Sequence, residues 1–314
     1  MTVEANLVSV IIPCYNQAHY LREAIESLAA QSYEHFEIIV IDDGSTDNTR
    51  EVAERYEGVK CISQSNRGLA AARNAGLKAS RGEYLLFLDA DDRLLSDALD
   101  IHVKALASHP DCAFVYGHVK LIAADGSPLA SPLQVRVDRE HYFELLRRNY
   151  IWTPGAVLYR RTALATVSGF NTNVSASADF DLNLRLARMF PIHCHDRAVL
   201  EYRRHNSNMS GDPKVMLASS IKVLRWQRKF TKGNRQYETA LESGIKTTQL
   251  GYGEKLVKAV ANQLRDHKFK QALPGIVALL KFYPRGFAKH VVRKVLAPLR
   301  SRNHSDSPVQ IRDL

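Results

Sequence analysis

Short apolar runs rich in β-branched and aromatic residues alternate with helical periodicity over residues 8–116, and this alternation narrows the possible folds more than any other feature of the chain. VSVII (8–12), FEIIVI (36–41), VKCIS (59–63), YLLFL (84–88) and CAFVY (112–116) read as strands. Helical patterns fall between them, near residues 18–31, 46–57, 68–79 and 96–109. Parallel strands need a crossover long enough to hold a helix, and right-handed crossovers then cover both faces of the sheet. The expectation is an α/β fold, a mostly parallel sheet flanked by helices.

Sheets of this kind bind ligands beyond the carboxyl ends of their strands, and the unusual residues of the chain stand there. PCYN (13–16) follows the first strand, DDGSTDNT (42–49) the second, SNRG (65–68) the third and DADD (89–92) the fourth. DADD sets three carboxylates, Asp89, Asp91 and Asp92, directly behind a buried apolar run. Two ionised carboxylates about 4 Å apart repel by roughly 4 kcal/mol at an effective dielectric of 20, so the cluster needs compensation. A hard divalent cation, Mg2+ or Mn2+, would supply it, because such ions take oxygen ligands from one or two carboxylates and share the rest of their shell with substrate phosphates. GxGxxG does not follow the first strand and GxxxxGK[ST] does not occur, which removes a dinucleotide fingerprint and a P-loop from consideration. In DGSTD (43–47), Ser45 or Thr46 is expected to cap the following helix.

Charge divides the chain. Residues 215–314 carry 20 Lys and Arg against 6 Asp and Glu, whereas residues 1–214 carry 23 against 27. The organisation expected is an α/β domain over 1–214 and a basic helical extension over 215–314. In KVLRWQRKF (222–230), KLVKAVANQLRDHKFK (255–270) and FYPRGFAKHVVRKVLAPLR (282–300), apolar residues recur at helical spacing among Lys and Arg. That pattern suits an anionic membrane surface; helices packed on the α/β domain with their charges solvated are the plainer alternative. Nucleic acid is the poorer fit, since no recognised binding motif accompanies the charge. ALPGIVALL (272–280) contains Pro274 and Gly275, and no uninterrupted apolar run approaches the length of a membrane span. MTVEANLVSVII lacks the layout of a signal peptide, and four cysteines without CxxC fit a reducing compartment. A cytoplasmic protein, peripheral on the inner face of the cell membrane, is expected.

VSVIIPCYNQAHYLREAIESLAAQSYEHFEIIVIDDGSTDNT, followed by NRGLAAARNAG and YLLFLDADD, resembles the family 2 glycosyltransferases of GT-A fold from residue 7 to about residue 210. The resemblance implies a nucleotide pocket formed by Pro13, Tyr15 and Asp43, with Tyr15 packing on the base, Asp43 accepting from it and Asp42 supporting the loop. Arg73 would face the nucleotide, Asp89 and Ala90 the ribose or donor sugar, and Asp91 the metal, Mn2+ or Mg2+. SADFDLNLRLARMF (177–190) is similar to the family's Glu-Asp-x-Asp segment before a helix, which makes Asp179 the catalytic base. Ala178 stands where the family has Glu, and that departure leaves the acceptor less defined. Asp181 and Arg185, four apart on a helix, read as a structural ion pair. EYRRHNSNMS (201–210) resembles the segment that closes over the donor, with His205 on the metal or diphosphate. His193, Cys194 and His195 are set aside, because alternate residues of a strand point to opposite faces.

The implied reaction is an inverting transfer from a nucleoside-diphosphate sugar, a UDP-sugar first of all, to an acceptor hydroxyl of a surface polysaccharide or lipid-linked glycan. Rival readings are a non-catalytic nucleotide-sugar-binding protein of the same fold, and a nucleotidyltransferase, whose Gly-rich, Arg-containing loop is replaced here by PCYNQ. A glycosidase would have no use for the nucleotide-facing rim.

Overall fold

The computed structural model describes residues 3–291. The chain runs through β1 (Glu4–Cys14), α1 (Ala18–Ala29), β2 (Phe36–Asp42), α2 (Thr49–Glu54), β3 (Val59–Ser63), α3 (Leu69–Ala79), β4 (Gly82–Phe87), β5 (Arg93–Leu94) and α4 (Ala98–Ser108). It continues with β6 (Phe114–Ala123), β7 (Pro128–Leu129), α5 (His141–Arg147), β8 (Val157–Arg160), α6 (Arg161–Thr166), α7 (Ala178–Ala187) and β9 (His193–Arg204). Three helices follow: α8 (Pro213–Thr231), α9 (Arg235–Arg265) and α10 (Phe269–Phe282).

One sheet in the order β3-β2-β1-β4-β8-β6-β9-β5 holds the molecule together, with β7 hairpinned onto β6. The ladders β2–β3, β1–β2, β1–β4 and β6–β9 are parallel. β8 enters antiparallel between β4 and β6. The five strands and four helices anticipated for the first part of the chain are present, most within a few residues of their expected limits, although the strand expected at 112–116 runs on to Ala123 as β6. β8 was not anticipated: four residues, VLYR, carry too little local pattern, and only long-range pairing makes them a strand.

Both faces of the sheet are buried. Val8, Val10 and Ile12 of β1 pack toward α1 and α4, while Ile11 faces the layer that includes α3 and α7, as the period of two requires. Gly76 lets α3 lie against β1, since a Cβ built there would meet the Ile11 side chain.

The basic helices belong to the same body. Leu217, Ile221, Leu241 and Ile245 join the core layer that contains Phe87 and Tyr159. Buried Tyr142 of α5 donates to Gln227 of α8 at 3.1 Å. At Gly244 the backbone of α9 comes so close to the Leu146 carbonyl that any side chain would collide with it. Asp212 caps α8, accepting from the amides of Lys214 and Val215 at 2.8 and 3.2 Å, with Pro213 in the first turn. Residues 292–300 of the expected basic segment 282–300 lie outside the described residues. Among the described residues no helix is long and apolar enough to cross a membrane.

Candidate active site

The carboxyl ends of β1, β2 and β4 open on a cleft of about 700 Å3. Pro13, Tyr15, Asp43, Arg73, Asp89, Ala90, Asp91 and Asp179 all line it. Pro13 and Tyr15 come from the end of β1 and the loop after it, Asp43 from the loop after β2, Asp89, Ala90 and Asp91 from the β4–β5 loop, Arg73 from α3 and Asp179 from the first turn of α7. Tyr15 is 49% exposed and presents its ring at the mouth.

Asp42 and Asp43 do different work. Asp42 turns inward, accepting from the Ser45 amide at 2.9 Å and the Ser63 hydroxyl at 3.2 Å, so it braces the loop. Asp43 accepts from Gln64 Nε2 at 2.7 Å and from the amides of Arg67 and Gly68 at 2.9 and 2.8 Å. A carboxylate offers about four lone-pair sites, and these three bonds leave one of them open. Ser45 and Thr46 do not cap α2. Ser45 Oγ accepts from the Asn16 amide at 3.0 Å, and the Thr46 amide donates to Asn16 Oδ1 at 2.8 Å. Asn48 is the N-cap, and Asp47, one residue before it, accepts from the Thr49 amide at 3.1 Å and the Thr49 hydroxyl at 2.6 Å. The expected cap misplaced the helix start by a few residues; Ser45 and Thr46 were close enough to Asn16 to stitch two loops together.

Within DADD, Asp91 Oδ2 accepts from His205 Nε2 at 2.8 Å, from Asn208 Nδ2 at 3.2 Å and from Gln17 Nε2 at 3.4 Å. Burial, and then the charge of Asp89, push the Asp91 carboxyl above the ordinary carboxylate range, with His205 acting in the opposite direction. Asp92 is pushed well above that range by burial and by Asp91 and Asp89. Its Oδ1 accepts from the Arg203 amide at 2.9 Å, while Oδ2 is buried without a partner. Arg203 is the compensating group that the sequence did not disclose. Fully buried, it donates from Nε to the Asp91 carbonyl at 2.8 Å and from Nη2 to Glu23 at 2.7 Å, and its guanidinium lies over the Tyr20 ring. Arg203 and Arg204 are adjacent on a strand, so alternation puts them on opposite faces; nothing local says which one is inside.

Arg73 joins the two halves of the site. Nη2 donates to Asp89 Oδ1 at 2.6 Å, and Nε is buried without a partner. Burial opposes the Arg73 charge, but Asp89 and Asp179 outweigh it and hold the guanidinium protonated. Asp179 answers the same field: burial pushes its carboxyl up, and Arg73 pulls part of that shift back. Asp181 pairs with Arg185 at 2.7 Å, away from the cleft, as expected for a structural pair.

The far wall combines residues of the EYRRHNSNMS segment with others the sequence did not single out. Trp152, Thr153 and Pro154 before β8 line it, together with Arg204, Asn208, Tyr252 and Lys255. Tyr252 and Lys255 are on α9, one turn apart on one face. The negative charge of Asp179, added to burial, raises the Tyr252 phenol above its usual range, which sets Tyr252 in the field of that carboxylate. His193, Cys194 and His195 do not line the cleft. His193 stacks on His109 and His195 reaches His102 at 3.0 Å. Cys194 lies on the other face with His118 and Asp196, where the three ligand atoms fall within 4.8 Å of one another.

A curled α/β sheet whose strand ends hold a DxD cluster in one cleft with a helix-borne carboxylate has the architecture of the GT-A fold. Residues 9–168, about half of the chain, match the family model described as Glycosyl transferase family 2, and the chain belongs to that family. Over 134 residues it is 38% identical to TuaG of Bacillus subtilis (strain 168), a glycosyltransferase assigned to teichuronic acid biosynthesis, covering 41% of this chain and 53% of TuaG. It is 27% identical over 290 residues to chondroitin synthase of Pasteurella multocida (strain Pm70), covering 88% of this chain and 29% of the synthase. The chain thus spans about half, or less, of these relatives. The fold matches S. aureus TarS residues 1–349 in complex with UDP at a TM-score of 0.65 and 21% identity, over 96% of this chain and 94% of that one.

Proposed function

We propose that the chain transfers a sugar from a nucleoside-diphosphate sugar, in the first instance a UDP-sugar, to a hydroxyl of a growing surface polysaccharide or lipid-linked glycan, with inversion at the anomeric carbon. The observation that carries this reading is the placement of Asp179 in the same cleft as Asp89, Asp91 and Arg73. Asp179 takes the proton from the acceptor hydroxyl as that oxygen attacks the sugar from the face opposite the diphosphate. Arg73 opposes the effect of burial on the Asp179 carboxyl and offsets the negative charge of Asp89 where the donor diphosphate would lie. Tyr15 offers a face for the base, and Asp43 its one open acceptor position.

The donor set at DADD fits a hard dication: carboxylate oxygens, one imidazole, and an excess of buried negative charge that Arg203 alone does not balance. Asp91 and His205 would hold Mn2+ or Mg2+, and the ion would supply neutralisation of the diphosphate leaving group. Complexes of structural neighbours with UDP-GlcNAc, and of the mannosyltransferase PcManGT from Pyrobaculum calidifontis with GDP-Man and Mn2+, support donor and metal alike. The basic helices support a peripheral location on an anionic inner membrane surface, where lipid-linked acceptors would be at hand.

A donor screen tests the reading. Nucleotide sugars offered one at a time with Mn2+, with released UDP, GDP or dTDP as the readout, should give turnover with one nucleotide class. Binding of nucleotide sugar without any release, across all donors and acceptors, would make the protein a binding module.

A further inference from the structure

α10 carries apolar residues on two faces. Its small residues, Ala272, Gly275 and Ala278, face inward, and Gly275 comes so close to Val260 of α9 that a Cβ there would stand 2.5 Å from that side chain. Leu279 is buried with them, but four other large apolar residues face solvent: Phe269 is 60% exposed, Leu273 61%, Val277 55% and Leu280 58%. At about 100° per residue these four fall within an arc of about 80°, so they form one continuous stripe along the helix. Monomeric soluble proteins scatter exposed apolar residues singly; an aligned row of large ones marks a covered surface.

Charge says what covers it. Lys270 and Lys281 flank one edge of the stripe, with exposed Arg285 and Lys289 following in the chain. Among the described residues, none of these four has a carboxylate within 4 Å. An apolar face rimmed by unpaired cations matches the boundary of an anionic bilayer, where the apolar side chains enter the acyl region and the cations meet phosphates. A second copy of this chain would bring the same cations against themselves. α10 has 14 residues, about 21 Å at 1.5 Å per residue, too short to span the roughly 30 Å hydrocarbon core, so it would lie in the interface plane.

We infer that the outward stripe Phe269–Leu273–Val277–Leu280 is the face by which the protein docks on an anionic lipid surface. This deepens the peripheral-membrane reading above and rests on it, and it orients the molecule. α9 carries Tyr252 and Lys255 into the cleft, and α10 is packed directly on α9, so docking would fix the distance between the lipid surface and that wall of the cleft.

Flotation of the full chain with vesicles decides it. Phosphatidylglycerol vesicles should carry the protein upward, phosphatidylcholine vesicles should not, and high salt should weaken the binding. Leu273→Glu combined with Val277→Glu should cut the bound fraction about tenfold or more while release of nucleotide from the donor stays at the parental rate. Lys270→Glu with Lys281→Glu should weaken binding too, and leaves the apolar stripe intact should the first variant fold poorly. If the parental chain floats and both double variants float equally well, the membrane reading stands and this face is the wrong one. If the parental chain stays down with phosphatidylglycerol, both fail. Light scattering that shows a dimer broken by the Leu273/Val277 variant, without flotation, would assign the stripe to a second copy.

Discussion

Asp179 has one property that a capping acid would not need: its carboxyl is held above the ordinary range by burial, yet restrained by the Arg73 guanidinium. A base acts only when ionised, so a raised pKa keeps the inactive, protonated form present to higher pH. The acid limb of kcat/KM should therefore lie above the usual carboxylate value of about 4 and disappear in Asp179→Asn. That variant should lose turnover by about 100-fold or more with donor KM little changed. Arg73→Met removes the opposing charge and should move the limb further up. A pH profile of the three proteins checks the order; an unchanged limb in Asp179→Asn would mean that another group is the base. At DADD the prediction is about charge. Chelation with EDTA should abolish transfer and Mn2+ or Mg2+ restore it, and Asp91→Ala should stay inactive with either ion while keeping its circular dichroism. Asp92→Asn keeps an oxygen to accept from the Arg203 amide and deletes one of three crowded negative charges. It should raise the Tm measured in EDTA by roughly 2 °C for each 1 kcal/mol relieved. Most of these residues were legible because strand–loop–helix order puts unusual residues on one rim. Arg203 and Tyr252 were not, since their roles depend on which face of β9 is buried and on where α9 crosses.

Elements, more than single residues, explain why the α9 side of the cleft was invisible beforehand. Tyr252 and Lys255 are separated from DADD by more than 150 positions, and α9 shows no strong amphipathic stripe because it is contacted on several sides, by α5, α8 and α10. What positions α9 is a glycine. Gly244 meets the Leu146 carbonyl directly, so Gly244→Ala must push the helix off α5. Overpacking of this kind costs about 1–3 kcal/mol, and a shift of the helix also moves Tyr252 and Lys255 away from Asp179. The expected result is a lower Tm together with a several-fold loss in turnover. Gly251→Ala on the same helix is the control: nothing lies within 4 Å of its Cβ, and replacing glycine in a helix interior should stabilise by about 0.5–1 kcal/mol. Equal effects from the two substitutions would show that close packing at Leu146 does not set the position of α9.

At the scale of the whole molecule, charge and packing divide the chain differently. The sign of the charge changes near residue 215, and a sequence reading takes that as the end of one domain. Hydrophobic contact crosses the same point without a break: Leu217, Ile221, Leu224, Leu241 and Ile245 are buried in one layer with Tyr142, Leu145, Leu146 and Leu184. Charge reports what faces water, and a helix can be strongly basic outside while its inner stripe completes another element's core. The cost of separating the parts follows from the burial. At about 1.5–3 kcal/mol for each buried aliphatic side chain, those five contacts amount to on the order of 10 kcal/mol, comparable with the 5–15 kcal/mol that holds a whole domain folded. We therefore predict that residues 1–214 expressed alone do not fold cooperatively, and that the full chain unfolds in one calorimetric transition, with calorimetric and van't Hoff enthalpies equal. Two separated transitions, or a soluble 1–214 fragment that binds nucleotide sugar with parental affinity, would show instead that the α/β part is an autonomous catalytic domain and that α8–α10 were added to it without entering its core.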